Sequence, residues 1–286
     1  MAKIGIIGWG VVGQAAGKAF SKTHEVLWND PAYKSSTPLN KLIDESEYIF
    51  VCVPTPMFSD ESGIDLSIVN SVVRKVAPKI KNTNKVLIIK SSVVPGTTAS
   101  LAKRHSKVRF VMNPEFLTEI NAPWDFVHTD RVVIGAFDEG VATRVAKIHR
   151  DVVGYKVKIF LTDPTTAEMA KYMSNTFMAA KVIFANEMHE LTEKLGINYD
   201  EVKEIVAADK RIEASFLKVT PFKGFGRKCF PKDIVALLGL ANKLKVDLAV
   251  LKAAWKKNLK IRKIKDWKEI DGAVNFKKKK RSSKKK

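Results

Sequence analysis

The chain has 286 residues, 45% hydrophobic, with a net charge of +20, enough for one large or two modest domains with packed cores. No apolar run approaches the ~18 residues that span a bilayer, the amino terminus enters a strand pattern without signal-peptide architecture, and two cysteines are too few for a disulfide framework, so a cytoplasmic protein with no membrane partner is expected. Residues 256–286 hold fifteen Lys/Arg against three Asp/Glu, +12 of the +20; such blocks are usually solvated, and without interleaved aromatics they promise only weak, salt-sensitive contact with polyanions.

Lys3 to Ile7 reads as a buried strand. It is followed by Gly8-Trp9-Gly10-Val11-Val12-Gly13 and a helical pattern from Gln14 to Ser21. Strand, glycine turn and helix in this order form the dinucleotide fingerprint. Gly8 permits a tight turn, Gly10 lets a pyrophosphate approach the backbone at the helix N-terminus, and Gly13 allows close packing of helix on strand. Gly8, Gly10, Val11, Val12 and Gly13 are therefore candidate cofactor contacts. A second strand, Glu25 to Trp28, ends at Asn29-Asp30. Asp30 stands 22 positions beyond Gly8, close to the ~20 expected of a carboxylate that binds the adenosine ribose. An acid there favours NAD over NADP; a turn aspartate before Pro31 and a ribose role for Asn29 are the alternatives.

A short helix is expected over Leu39 to Ile43, strands over Tyr48 to Val53, Lys85 to Lys90 and Val108 to Met112, and a helix over Asp65 to Lys81. Cys52 reads as core. The third strand runs into Pro54-Thr55-Pro56, and ligands of open α/β sheets gather at such strand ends. Glu115 and Glu119, four apart just past a strand, read in isolation as surface acids capping a helix. After a helix near Gly140 to Val152 and a strand near Lys156 to Phe160, the segment Pro164 to Leu195 has no internal Pro or Gly. Met169, Met173, Phe177, Ala180, Phe184, Met188, Leu191 and Leu195 recur on one face, which reads as core, in a helix of a length that commonly bridges domains or forms a dimer seam. Glu168, Lys171 and Asn175 share another face. A shorter helix, Asn198 to Ala208, precedes Gly224-Phe225-Gly226-Arg227-Lys228-Cys229-Phe230-Pro231-Lys232-Asp233, and helical patterns then run to about Leu259. Cys229 would lie just before a helix N-terminus, flanked by Lys228 and Lys232; both influences favour the thiolate. Asp233, four residues on, can lie beside the sulfur. A buried structural cysteine is equally compatible with these residues.

Several of these segments resemble, in order, the motifs of the UDP-glucose and GDP-mannose dehydrogenase family. They are Pro54-Thr55-Pro56, Lys90-Ser91-Ser92-Val93, Asn113-Pro114-Glu115-Phe116-Leu117-Thr118-Glu119, Asp130-Arg131-Val132-Val133-Ile134-Gly135, the helix segment Ala167 to Asn175, Asp209-Lys210-Arg211-Ile212 and the cysteine loop. The resemblance runs from residue 2 to about 258. Arg227 departs from it, standing where the family usually has a glycine. What the resemblance implies is a nucleotide-sugar 6-dehydrogenase, most simply acting on UDP-glucose, with NAD as cofactor and no metal. Cys229 becomes the covalent nucleophile, Lys171 and Asn175 hold the developing oxyanion, and Ser92, Glu115 and Asp233 hold the hydrolytic water. Pro54, Thr55, Ser92 and Glu119 lie near the cofactor; Glu115, Phe116, Leu117, Lys171, Asn175 and Gly226 contact the sugar.

The expected architecture is α/β: a Rossmann-like doubly wound parallel sheet over 1–162, an all-α central dimerisation domain over 163–270, and a disordered Lys-rich tail over 271–286. The family's third, nucleotide-reading domain has no counterpart in this sequence. A non-catalytic NAD-binding homologue, or a single-step 3-hydroxyacid dehydrogenase, are the other functional classes the sequence allows.

Overall fold

The computed structural model describes residues 1–276; the expected tail from 277 to 286 lies outside the described residues. In chain order the elements are β1 (Lys3–Ile7), α1 (Val11–Phe20), β2 (Glu25–Asn29), α2 (Leu39–Glu45), β3 (Tyr48–Val51), β4 (Met57–Phe58), α3 (Ser67–Ile80), β5 (Val86–Ile89), α4 (Thr97–Arg104), β6 (Arg109–Met112), α5 (Ala122–Val127), β7 (Arg131–Ala136), α6 (Glu139–Val153), β8 (Lys158–Thr162), α7 (Pro164–Leu195), α8 (Tyr199–Ala207), α9 (Cys229–Leu244), α10 (Ala249–Ile261), a 3-10 turn (Asp266–Lys268) and β9 (Val274–Asn275). They form two compact units. Among the described residues, one holds 1–55 and 66–171, the other 56–65 and 172–276. The division falls inside α7 rather than at 163, and a ten-residue excursion after β3 belongs with the second unit.

The first unit is a seven-stranded sheet in the order β2-β1-β3-β5-β6-β7-β8. The strands are parallel except at one pairing: β7 runs antiparallel to β6, and β8 parallel to β7. The parallel part follows from composition. Ile4, Ile6, Ile49, Phe50, Val51 and Leu87 to Ile89 are buried on both sides, as strands sandwiched between helices must be. Cys52 is in the core, as its apolar run implied. Lys85 ties the layers together: its ammonium donates to the Ile43, Asp44 and Ser46 carbonyls at 2.7–2.9 Å, capping the C-terminus of α2 with charge of the favourable sign. Helices α4 and α5 are not evident from periodicity, being only eight and six residues long. Helix α1 starts at Val11, three residues before its apolar pattern, because the glycine turn leads straight into it with Gly10 as N-cap.

The second unit is mostly helical, with β4 and β9 forming a short parallel pair. Helix α7 corrects the reading of its apolar stripe. Met173 (64% exposed), Phe177 (65%), Phe184 (58%), Leu191 (52%) and Leu195 (64%) face outward. Within this unit the buried positions of the helix are Tyr172, Asn175, Thr176, Ala179, Ile183, Ala185, Asn186 and Thr192. Periodicity located two faces correctly but not which one the rest of the chain covers. The expected helical run from Asp233 is two helices, separated where Lys245 turns left-handed at φ 59°. Val274 and Asn275, expected in the tail, are paired in β9.

Candidate active site

The dinucleotide turn sits at the C-terminal end of β1. Gly8 has φ 97°, and a Cβ there would lie 2.7 Å from the Cys52 carbonyl oxygen. A Cβ on Gly13 would lie 2.0 Å from the Gly8 carbonyl oxygen. At Gly10 the same test meets nothing within 4 Å, so the backbone is open to a ligand where α1 begins. No side chain caps this helix, which leaves its N-terminal amides to an anion. Asp30 follows the last residue of β2. Its Oδ2 accepts from the Trp9 amide at 2.8 Å and its Oδ1 from the Ala32 amide at 3.0 Å. The carboxylate therefore also pins the glycine turn, while Asn29 Nδ2 donates to the Thr37 carbonyl at 2.8 Å. Trp9 stacks on Trp28 with ring centroids 4.7 Å apart. Open backbone, uncapped helix and acid at the strand end together fit a dinucleotide. Val11 is exposed and Val12 half-buried at the start of α1; Thr55 is buried and Pro54 exposed just past β3.

A charged cluster lies past the C-terminal end of β6, on the same edge of the sheet as the dinucleotide turn. Glu115 Oε1 is 2.9 Å from Lys171 Nζ, with side chains only 9% and 3% exposed, and Glu115 Oε2 accepts from the Leu117 amide at 2.8 Å. Burial pushes this carboxyl up, but Lys171 and the amide outweigh it, so Glu115 titrates below the ordinary carboxylate range. Arg131 lies over the Phe116 ring at 4.1 Å. Lys171 reaches this place because α7 is anchored at its start. Asp163 accepts from the Thr165 and Thr166 amides, Pro164 occupies the first helical position, and buried Glu168 accepts from the Gly96 and Thr98 amides at 2.6 and 2.8 Å. Glu168 thus serves as a cap for α4. Glu119 is half-buried in the loop beyond, and Ser92 is half-buried beside buried Ser91, whose hydroxyl donates to Val51 and Val53 carbonyls.

Sequence reading missed a buried network behind Glu115. Lys90 Nζ donates to Asn113 Oδ1 at 2.8 Å, His149 Nε2 lies 3.1 Å from the same oxygen, and Asn113 Nδ2 donates to the Val133 carbonyl. Burial pushes Lys90 down to about 8 and His149 down to about 3. Lys90, Asn113, Glu115, Arg131 and His149 line a cavity of about 30 Å³, room for a water molecule. Lys90 is the last residue of the strand expected over Lys85 to Lys90, and a charge there was the available signal; His149 gave none.

In the second unit Cys229 is half-buried and is the first residue of α9, rather than the residue before it. Pro231 is in the first turn. Asp233, fully buried, is one turn on: Asn175 Nδ2 donates to its Oδ2 at 2.6 Å, and Lys232 Nζ donates to its Oδ1. Lys232, expected only to flank the thiol, is itself buried and lies over the Tyr172 ring. Gly226 is a glycine for reasons of space: a Cβ would come within 2.2 Å of Asp266 Oδ1. Arg227 adopts φ 57°, the conformation that a glycine at this place would take freely. Two polar clusters thus emerge, Glu115 with Lys171 and Asn175 with Asp233 and Lys232, the second on the helix that Cys229 opens. Among the described residues no group of His, Cys, Asp and Glu could hold a metal ion, and no helix is long and apolar enough to cross a membrane.

A Rossmann-type sheet with a dinucleotide turn, joined to a helical unit with a cysteine at a helix N-terminus, defines the class as a dinucleotide-binding α/β fold with an appended helical domain. Residues 27–153 match the NAD binding domain, and residues 165–260 the central domain, of the UDP-glucose/GDP-mannose dehydrogenase family. The chain belongs to that family. It is 38% identical over 224 residues to a UDP-glucose 6-dehydrogenase of Rickettsia felis, covering 77% of this chain and 49% of the relative. It is 36% identical over 230 residues to one of Bacillus subtilis, covering 78% and 50%. A UDP-glucose dehydrogenase structure from Pyrobaculum islandicum superposes with a TM-score of 0.82 at 29% identity, over 91% of this chain and 68% of that one. The chain spans about half the length of the curated relatives it matches.

Proposed function

We propose that the chain oxidises the primary alcohol of a nucleotide sugar, UDP-glucose or a related UDP- or GDP-sugar, to the uronate in two NAD-dependent steps through a thioester on Cys229. The observation that carries this reading is Cys229 at the head of α9 with a buried Asp233–Asn175 pair one turn behind it. NAD, when bound, supplies the hydride acceptor for both oxidations. With it bound, the C6 alcohol would give up its proton to water or Asp233 as the first hydride leaves. The Cys229 thiol, its proton released, would then add to the aldehyde carbon to give a thiohemiacetal oxyanion. Loss of the second hydride from that carbon would leave the thioester; attack by water with C–S cleavage would release the uronate carboxylate and a proton and restore the thiol. Lys171 and Asn175 are assigned to the negative oxygen in each step, and Ser92, Glu115 and Asp233 to the hydrolytic water. Glu115, its titration lowered by Lys171 and the Leu117 amide, is ionised at neutral pH, which suits it to accept a hydrogen bond from that water and orient it rather than to act as a strong base. The covalent intermediate holds the substrate between the two hydride transfers.

A homodimer through α7 is part of this proposal. Its exposed Met, Phe and Leu stripe is the kind of apolar face that marks an interface. Weak polyanion contact by the Lys-rich tail completes the expected partners.

The test is incubation of the chain with NAD and a panel of UDP- and GDP-sugars. Two NADH per uronate are expected, and no uronate from Cys229→Ala with NAD affinity retained. One NADH per product would indicate a single-step hydroxyacid-type reaction. NAD binding without any turnover would leave the second reading, a non-catalytic NAD-binding homologue.

A further inference from the structure

The family match to the central domain ends at residue 260, and the sequence beyond reads as a fading, lysine-rich end. Within the second unit, however, residues 262–275 fold back beneath the cysteine loop. Trp267 is 1% exposed and lies 5.6 Å from Trp255, whose ring stacks 6.1 Å from Phe225 in that loop. Further on, β9 pairs with β4, and Asn275 Nδ2 donates to Asp65 Oδ2 at 2.6 Å. Asp266 directly precedes the first of these anchors. Its Oδ2 accepts from the Arg227 amide and from Arg262 Nη2, each at 3.1 Å. Its Oδ1 is packed over Gly226 closely enough to exclude a Cβ. Arg262 Nη1 in turn donates to the Lys223 carbonyl at 3.2 Å, and Lys228 Nζ to the Asp271 carbonyl at 3.3 Å.

The loop is therefore held peptide by peptide. The Gly224 amide donates to Asn186 Oδ1, Phe225 is clasped at both amide and carbonyl by Asn258, and the Arg227 amide goes to Asp266. The last of these matters because Arg227 is held in the left-handed region, which is unfavourable for a non-glycine residue and persists only where surroundings over-determine it.

We propose that residues 262–275 form a strap that sets the shape of the cysteine loop, with Asp266 as a positioning residue that holds Arg227 left-handed two residues before the Cys229 thiol. This goes beyond the dehydrogenase reading and is read on the thiol itself, without turnover. Cys52, the other cysteine, is buried, and its thiol is pushed up to about 12, so iodoacetamide reports on Cys229 in the folded chain. The test is the alkylation rate from pH 6 to 9 in the full chain. Asp266→Ala is expected to slow it at least fivefold at pH 7.5 and to move the midpoint of the pH profile. Adding Arg227→Gly to that variant should bring the rate back within twofold, because glycine takes the conformation without the clasp. Asp266→Asn keeps an acceptor for the Arg227 amide and should stay within twofold of wild type, which also serves if Asp266→Ala fails to fold. An unchanged rate in Asp266→Ala, no rescue by Arg227→Gly, or a fivefold loss in Asp266→Asn would each overturn the proposal.

Discussion

Replacing Lys171 by Met removes one partner of a nearly inaccessible ion pair. At 2.9 Å the gross attraction is about 6 kcal/mol with an effective dielectric of about 20. Most of that repays desolvation, so the net worth of the pair is small, but stranding the other charge costs about 3–5 kcal/mol. In wild type the net effect on Glu115 is a depressed titration. Its contribution to stability is thus present above the unfolded carboxylate range and lost as the pH falls. Without Lys171, burial becomes the dominant influence and Glu115 takes up a proton; its folded pKa then lies above the unfolded one. The penalty is absent below the unfolded carboxylate range and grows as pH rises towards the new folded value. The gap between wild type and Lys171→Met should therefore widen with pH, reaching about 3–5 kcal/mol near pH 7.5 and shrinking by more than half at pH 4.5. Urea unfolding followed by circular dichroism at both pH values measures it. A gap below about 1 kcal/mol at pH 7.5, or one that does not change with pH, would refute the buried-pair argument. Lys171→Arg, which keeps the charge, should recover most of the loss.

Gly13→Ala puts a methyl group 2.0 Å from the Gly8 carbonyl oxygen; calorimetry should show NAD affinity reduced at least tenfold (about 1.4 kcal/mol), and unchanged binding would mean that the turn can yield. Phe177→Glu with Phe184→Glu places charge on the outward stripe of α7; light scattering should show the mass of a single chain with helix content preserved, and an unaltered dimer mass would remove the stripe as the seam. His149 is held neutral, its titration pushed down to about 3 by burial and by Lys90. Its neutral form favours the fold, so stability should fall as the pH drops from the unfolded value of about 6.5, by at most about 4–5 kcal/mol in all. His149→Phe should flatten that acid limb in urea titrations, and an identical slope would show that another group is responsible.

The candidate site was legible where chemistry is local. The turn from Gly8 to Gly13, Asp30 past β2, the carboxylates past β6 and the Cys229 loop are each short strings whose residue types carry their meaning. What was not legible was pairing at a distance. Asp233 meets Asn175 across 58 positions and Lys90 shares Asn113 with His149; nothing in periodicity connects them. The stripe on α7 shows the same limit from the other side. Steps of three and four residues define a face but hold no information about what, if anything, covers it, and here the buried face is the one carrying Asn175, Thr176 and Asn186.

The sequence by itself determined the alternation of strand and helix, the dinucleotide turn and the order of the family's motifs, because backbone preferences and side-chain period act over a few residues. Only tertiary structure decided that β7 turns antiparallel, that Glu168 serves as a cap, and that residues past 260 return to hold Arg227 in place. Those outcomes depend on which buried polar groups find partners. In a low-dielectric interior each one left unpaired is costly, so they are settled jointly by the packed chain.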